Sequence, residues 1–148
     1  MKTPGIASAI AAVLVVSCGA NDQEAEIRAL LAAAEEAAEQ RDTGFFGEAL
    51  GTAYHDARGN DRDRLLRSIR GYFIANQRIE IVSRVDEVVL EGTDAARAVV
   101  HAGLVGQRAG AALIDGVEAD LYRFELELVN DGGDWRIIGA DYRRALGE

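Results

Sequence analysis

The chain has 148 residues, 49% of them hydrophobic and 28% charged, with 25 acidic against 16 basic side chains and a formal net charge of -9. That length suits one domain with its own core and is short for two. The acidic balance argues against nucleic acid as a partner, because phosphate repels such a surface, and one cysteine cannot form an internal disulfide.

Met1 and Lys2 give a minimal positive start, and Gly5 to Val16 is an uncharged, mostly apolar run. The run is too short for a membrane-spanning helix, which needs about 20 apolar residues. With the small Ser17 behind it, it has the anatomy of a secretory signal. Val15-Val16-Ser17-Cys18 resembles the lipobox of bacterial lipoproteins. The resemblance implies cleavage before Cys18 and acylation of it, so that the membrane is a partner through acyl chains on Cys18. It places the protein in the bacterial envelope facing the periplasm. Gly19, where an aspartate could stand, resembles the pattern sorted to the outer membrane, which is therefore expected over the inner. The alternative is a buried structural thiol, a common fate of free cysteine. The expected division is 1–17 signal peptide, 18–22 lipidated cysteine and short tether, and 23–148 folded domain.

Asn21 to Glu24 reads as a capping box before a helix in which Ile27, Leu30, Leu31, Ala34 and Ala38 recur at helical spacing. A second helix is expected from Thr43, its cap, to about Gly59, with Phe46, Ala49, Leu50, Ala53, Tyr54 and Ala57 as one stripe. Asn60 or Asp61 then opens a third, with Leu65, Leu66, Ile69 and Phe73 facing in. From Gln77 the period falls to two. Ile79, Ile81 and Val85 alternate with charges, a turn at Gly92 to Asp94 joins two strands, and Tyr122, Phe124, Leu126 and Leu128 share one face. Asn130-Asp-Gly-Gly133 is a hairpin signal before the last strand. Strands with one polar face are antiparallel in character.

Three helices followed by a four-stranded meander, with Trp135 in the closing hairpin, resemble the nuclear transport factor 2-like superfamily, which includes SnoaL-like proteins and ketosteroid isomerases. The resemblance covers residues 23 to 146. It implies an α+β cone: three N-terminal helices packed on a curved, mostly antiparallel sheet of four or more strands, open at one end and prone to pair as a homodimer. On this pattern Phe46, Tyr54, Tyr72, Tyr122 and Trp135 are the expected pocket residues, whereas in the plain reading Phe45, Phe46, Tyr54, Tyr72, Phe73 and Trp135 are simply core.

Candidate chemistry is sparse. His55 and Asp56 are neighbours, but in a helix they would point about 100° apart and form no dyad. Tyr54, Asp56 and Arg58 make a polar cluster at the expected rim, set against a plain reading of Tyr54 as core and Asp56 as solvated helix end. His101 lies in a strand in line with Arg97, Val99 and Gly103; were it inside the cone, Tyr122 or Asp120 could orient it as a general base. Ketosteroid isomerases use an aspartate base with a tyrosine and a protonated aspartic acid, and no trio here maps onto that set. Asp42, Asp56, Asp86, Asp115 and Asp120 stand beside charges or in turns, which favours ordinary ionised acids. Two histidines 46 positions apart and a cysteine assigned to lipid give no metal-ligand spacing, and no phosphate or dinucleotide motif occurs, so no cofactor is expected. The preferred function is binding of a small apolar ligand or an envelope protein without catalysis. A SnoaL- or isomerase-like enzyme and a ligand-free dimerisation scaffold are the alternatives.

Overall fold

The computed structural model describes residues 18–108 and 117–145. The expected signal segment 1–17 and Asp115 lie outside them.

Helix α1 (Cys18–Glu39) is rich in alanine and glutamate, both strong helix formers. It extends back to Cys18, so Asn21 to Glu24 lie within it and do not cap it. Ile27, Leu31, Ala37 and Ala38 are its buried face. The helix stops in a Schellman arrangement, with Arg41 N–H donating to Ala38 O and Asp42 N–H to Ala37 O. Arg41 takes the left-handed position at φ 57° that glycine usually fills.

Helix α2 (Thr43–Ala49) is capped by Asp42, whose carboxylate accepts from Gly44 N–H at 2.9 Å; Thr43 is its first residue and not its cap. The expected second helix ends there. Leu50–Asp56 is a strand, β1. The reason is the partner it finds: β1 runs parallel to the last strand, with Leu50 opposite Ile137 and Asp56 opposite Ala140. Gly51 leaves room for a β5 side chain, since a Cβ there would sit 2.8 Å from Ile138 Cγ2. Helix α3 (Arg62–Ala75) starts at Asp61, which accepts from Arg64 N–H at 2.8 Å.

Four long strands follow: β2 (Asn76–Glu91), β3 (Ala95–Arg108), β4 (Val117–Asp131) and β5 (Asp134–Arg144). They form an antiparallel meander, and the five-stranded sheet has the order β1-β5-β4-β3-β2. Gly132 and Gly133, at φ 67° and 102°, make the two-residue turn that the sequence signals. In β2 the register shifts at Asp86, between Val85 and Glu87, a bulge that bends the strand and returns Val88 and Leu90 to the inside.

The concave face of the sheet holds the helices. One cluster joins Ile27 and Leu31 to Ala96, Ala98, Val100, Leu126, Leu128 and Trp135; a second joins Ala38, Phe73 and Ile79. Trp135, 6% exposed, is fully within the first, with its indole N–H buried and unpaired. Ile27 and Leu128 are the most completely enclosed large side chains. The result is the α+β cone, with three helices on a sheet of five strands. Among the described residues no helix is long and apolar enough to cross a membrane.

Candidate functional site

The inward positions of the cone are small in several places: Ala34 and Ala38 on α1, Ala102 on β3 and Ala140 on β5. They leave a space of about 330 Å³ between the two core clusters, bordered by Phe46 of α2, Leu65 and Ile69 of α3, and Phe124 of β4. A second space of about 330 Å³ shares the walls Ile81, Ala102, Phe124 and Tyr142 and reaches Tyr72, Leu104 and Tyr122. Among the side chains of the first wall, only Glu35, Ser83, Tyr54 and Tyr142 carry polar atoms.

Phe46 and Tyr54 line the first space, and Tyr72 and Tyr122 the second. Trp135 lines neither. The two-residue turn sends it into the core cluster around Ile27 and Leu128, so its expected place in the pocket is corrected to one beside it. Tyr122, Phe124 and Tyr142 form an aromatic wall, with Phe124 and Tyr142 stacked at 5.6 Å and Tyr122 5.9 Å from Phe124. The Arg58 guanidinium lies over the Tyr142 ring, 4.0 Å from its centre, a cation–π contact.

Tyr54, Asp56 and Arg58 are brought together, for a reason the helix reading could not supply. In a strand, residues two apart share a face, so Tyr54 and Asp56 both turn inward while His55 turns out to solvent. Tyr54 is 4% exposed and lies beside the Asp56 carboxylate. Burial, followed by the Asp56 charge, raises its titration far above the usual tyrosine range and keeps it protonated.

Asp56, 6% exposed, is held from several sides. Its Oδ1 accepts from Arg58 N–H and Asn60 N–H, both at 2.9 Å, and its Oδ2 from Asn60 Nδ2 at 2.8 Å. Burial works to raise its pKa. The Asn60 and Arg58 hydrogen bonds and the Arg58 charge outweigh burial and hold the carboxyl below its ordinary range. A carboxylate so bonded pins the turn from β1 to α3 and has little basicity left for proton transfer.

His101 is on the other side of the sheet. It faces outward between Arg84 and Arg123 of the adjoining strands, whereas Tyr122 turns inward. The orientation by Tyr122 or Asp120 considered from sequence does not occur: Tyr122 is hydrogen-bonded to Asp120 at 3.2 Å, and the partner of His101 Nδ1 is Asp86 Oδ2 at 2.7 Å. The β2 bulge delivers that carboxylate. A hydrogen bond from Arg84, then the His101 contact, holds Asp86 below its ordinary pKa.

The same outer face has a wider groove, about 550 Å³, lined by Glu87, Glu91, Glu125, Glu127 and Asp141 with Arg97 and His55. Its charges include local pairs, such as Arg97 with Glu91 at 3.1 Å and Arg123 with Glu125. These pairs lie in a groove lined mainly by charged side chains. The inner space is the better candidate site because its lining is almost wholly apolar. No group of three or more potential metal ligands occurs among the described residues.

Sequence reasoning missed Glu35, Ser83, Asn60 and Tyr142. Glu35 and Ser83 lie 48 positions apart on α1 and β2, and the serine hydroxyl donates to the carboxylate only because those elements pack together.

The sequence matches no protein-family model and no curated protein. Its fold does match solved structures. A proposed scytalone dehydratase from Novosphingobium aromaticivorans superposes with a TM-score of 0.79 at 7% identity, over 88% of this chain and 89% of that one. A proposed dehydratase of the nuclear transport factor 2-like family from Streptomyces avermitilis gives 0.71 at 14% identity, over 86% and 99%. A ketosteroid isomerase-like protein from Erwinia carotovora atroseptica gives 0.67 at 15%, over 86% and 99%. The fold is therefore the nuclear transport factor 2-like cone, and these identities carry the likeness no further than fold.

Proposed function

We propose that this protein is a lipid-anchored component of the bacterial envelope, facing the periplasm, whose cone binds a small, largely apolar molecule without transforming it. The observation that carries the binding reading is the inner space of about 330 Å³, within the range of small-molecule sites and walled mainly by hydrocarbon and aromatic groups. A ligand-free dimerisation scaffold has no use for such a space. The three acid–base candidates each lack something a catalyst needs. Tyr54 is held protonated, Asp56 is bonded into a turn, and His101 faces away from the apolar inner space.

The test is titration of the purified full-length chain with the neutral dye N-phenyl-1-naphthylamine. Saturable fluorescence enhancement is expected in the wild type and its loss in Ala102→Phe, whose ring fills a wall shared by both spaces. Equal enhancement in both proteins, or none in the wild type, overturns the reading. Anchoring is supported by Val15 to Cys18 and the apolar run before them. Mass spectrometry of the protein from membranes should find acyl chains at Cys18 and none in Cys18→Ser; an unmodified wild type refutes it.

A second reading, an acid–base enzyme of the SnoaL or isomerase kind, is supported by the place of Tyr54, on the wall of the inner space and beside Asp56. Native mass spectrometry separates the two. A co-purified molecule recovered unchanged after incubation supports binding, and a new product mass supports catalysis.

A further inference from the structure

The inner stripe of α1 is Leu31, Ala34, Glu35 and Ala38, spaced as one face of a helix requires. An acid in that stripe breaks the apolar pattern. Glu26, Glu36 and Glu39 of the same helix are exposed, whereas Glu35 is only partly so and lines the cavity. Ser83 is the matching exception on β2, at an inward position between Ile81 and Val85. Its hydroxyl donates to the Glu35 carboxylate. Two polar residues on separate elements, each alone in an apolar row, therefore meet on one wall.

What the wall lacks is a cation. No arginine, lysine or histidine lines this space, and Glu35 takes part in none of the ion pairs among the described residues. Arg28, two turns back on α1, is already committed to Glu24 at 2.8 Å and to Val85 O at 3.1 Å. A carboxylate has about four acceptor sites, and Ser83 supplies one donor. An ionised group against hydrocarbon is costly unless it is paired. A ligand that brings a positive charge with several N–H donors completes this arrangement, and one that brings a carboxylate or phosphate opposes it.

We propose that the cone selects an amphiphilic amine: an apolar body seated against Phe46, Ile69 and Phe124, with a protonated amino group on Glu35 and Ser83. This rests on the reading of the cone as a binding site and adds the chemical class of its ligand. The net charge of -9 works in the same direction, since it concentrates cations near the protein and repels anions.

The experiment is isothermal titration calorimetry of the full-length chain at neutral pH with octylamine, octanol and octanoate, which share one apolar body and differ in head group. Octylamine should bind about tenfold or more tightly than octanol, as a charge-assisted hydrogen bond implies, with octanoate weakest. In Glu35→Gln the amine should fall to the level of octanol while octanol is unchanged. If octanol binds and the amine gains nothing, or its gain survives Glu35→Gln, the inference is overturned and the apolar-binding reading stands. If none of the three binds, that reading itself fails. Should Glu35→Gln fail to fold, the wild type suffices. The carboxylate carbon of Glu35, followed by NMR, should shift with octylamine and not with octanol, and identical responses overturn the inference.

Discussion

Along β3, Ala96, Ala98, Val100 and Ala102 turn toward the helices, while Arg97, Val99 and His101, set between them, turn the other way beside Arg123, Glu125 and Glu127 of β4. The backbone is shared; the solvent is not. On the outer face a charge finds water as well as a neighbour, so Asp86 needs only Arg84 and His101. Asp56, buried at the end of β1, takes three nitrogen donors before it is satisfied. The number of bonds a carboxylate collects here follows how far it stands from water. Glu35, partly exposed, stands between the two with one donor.

The comparison breaks most readily at its apolar base. Leu128→Ala on the inner face should lower unfolding free energy by about 3 kcal/mol, because a closed cone has little to collapse into the cavity left behind. Chemical denaturation measures it, and a loss below about 1 kcal/mol means this face is less tightly packed than described.

Asp56→Asn comes next, at about 1–3 kcal/mol, since it removes charge-assisted bonds from a buried turn. It also tests the sign of a pH effect. Asp56 titrates below its ordinary 3.8 when folded, so its contribution is complete above that value and is lost as pH falls through the folded pKa. Wild type should therefore lose stability more steeply than Asp56→Asn between roughly pH 4 and pH 2. Asp86 and Glu125 are lowered in the same direction, chiefly by Arg84 and Arg123. Because they are exposed, salt near ~1 M should remove their part of the slope and spare that of Asp56. Parallel slopes for wild type and Asp56→Asn at high salt would erase the distinction between the faces.

The smallest effect belongs to His101→Gln. It should change stability by less than about 0.5 kcal/mol and leave the binding of an apolar dye untouched. A weakened dye titration would place His101 in communication with the inner space, contrary to its position.

Most of the architecture could be read from the chain before the structure. The alternation from Gln77, the glycine turns and the stripe of α1 are each local, and each element forms as its period requires. β1 could not be read this way. Leu50, Ala53, Tyr54 and Ala57 fit a helical stripe, and the strand's burial is irregular because its register with β5 slips between Leu50 and His55. Its conformation is set by a partner far along the chain. The same gap hid the relation of Tyr54 to Asp56, which share a face only in a strand. Glu35 beside Ser83 left no mark at all, since a glutamate in an alanine- and glutamate-rich helix looks like surface until the opposing strand is in place.

The parallel pairing of β1 with β5 has a bearing on when the protein can exist as well as on its shape. A chain made from its N-terminus holds the helices and β1 early, yet β1 has no neighbour in the sheet until Asp134 and the residues after it have been synthesised. Trp135 enters the core in the same last stretch. Contacts this distant in sequence form slowly, because the loop must close before they reward it. Whenever the chain folds, β5 is therefore the strand that completes the sheet by joining β1 to the meander.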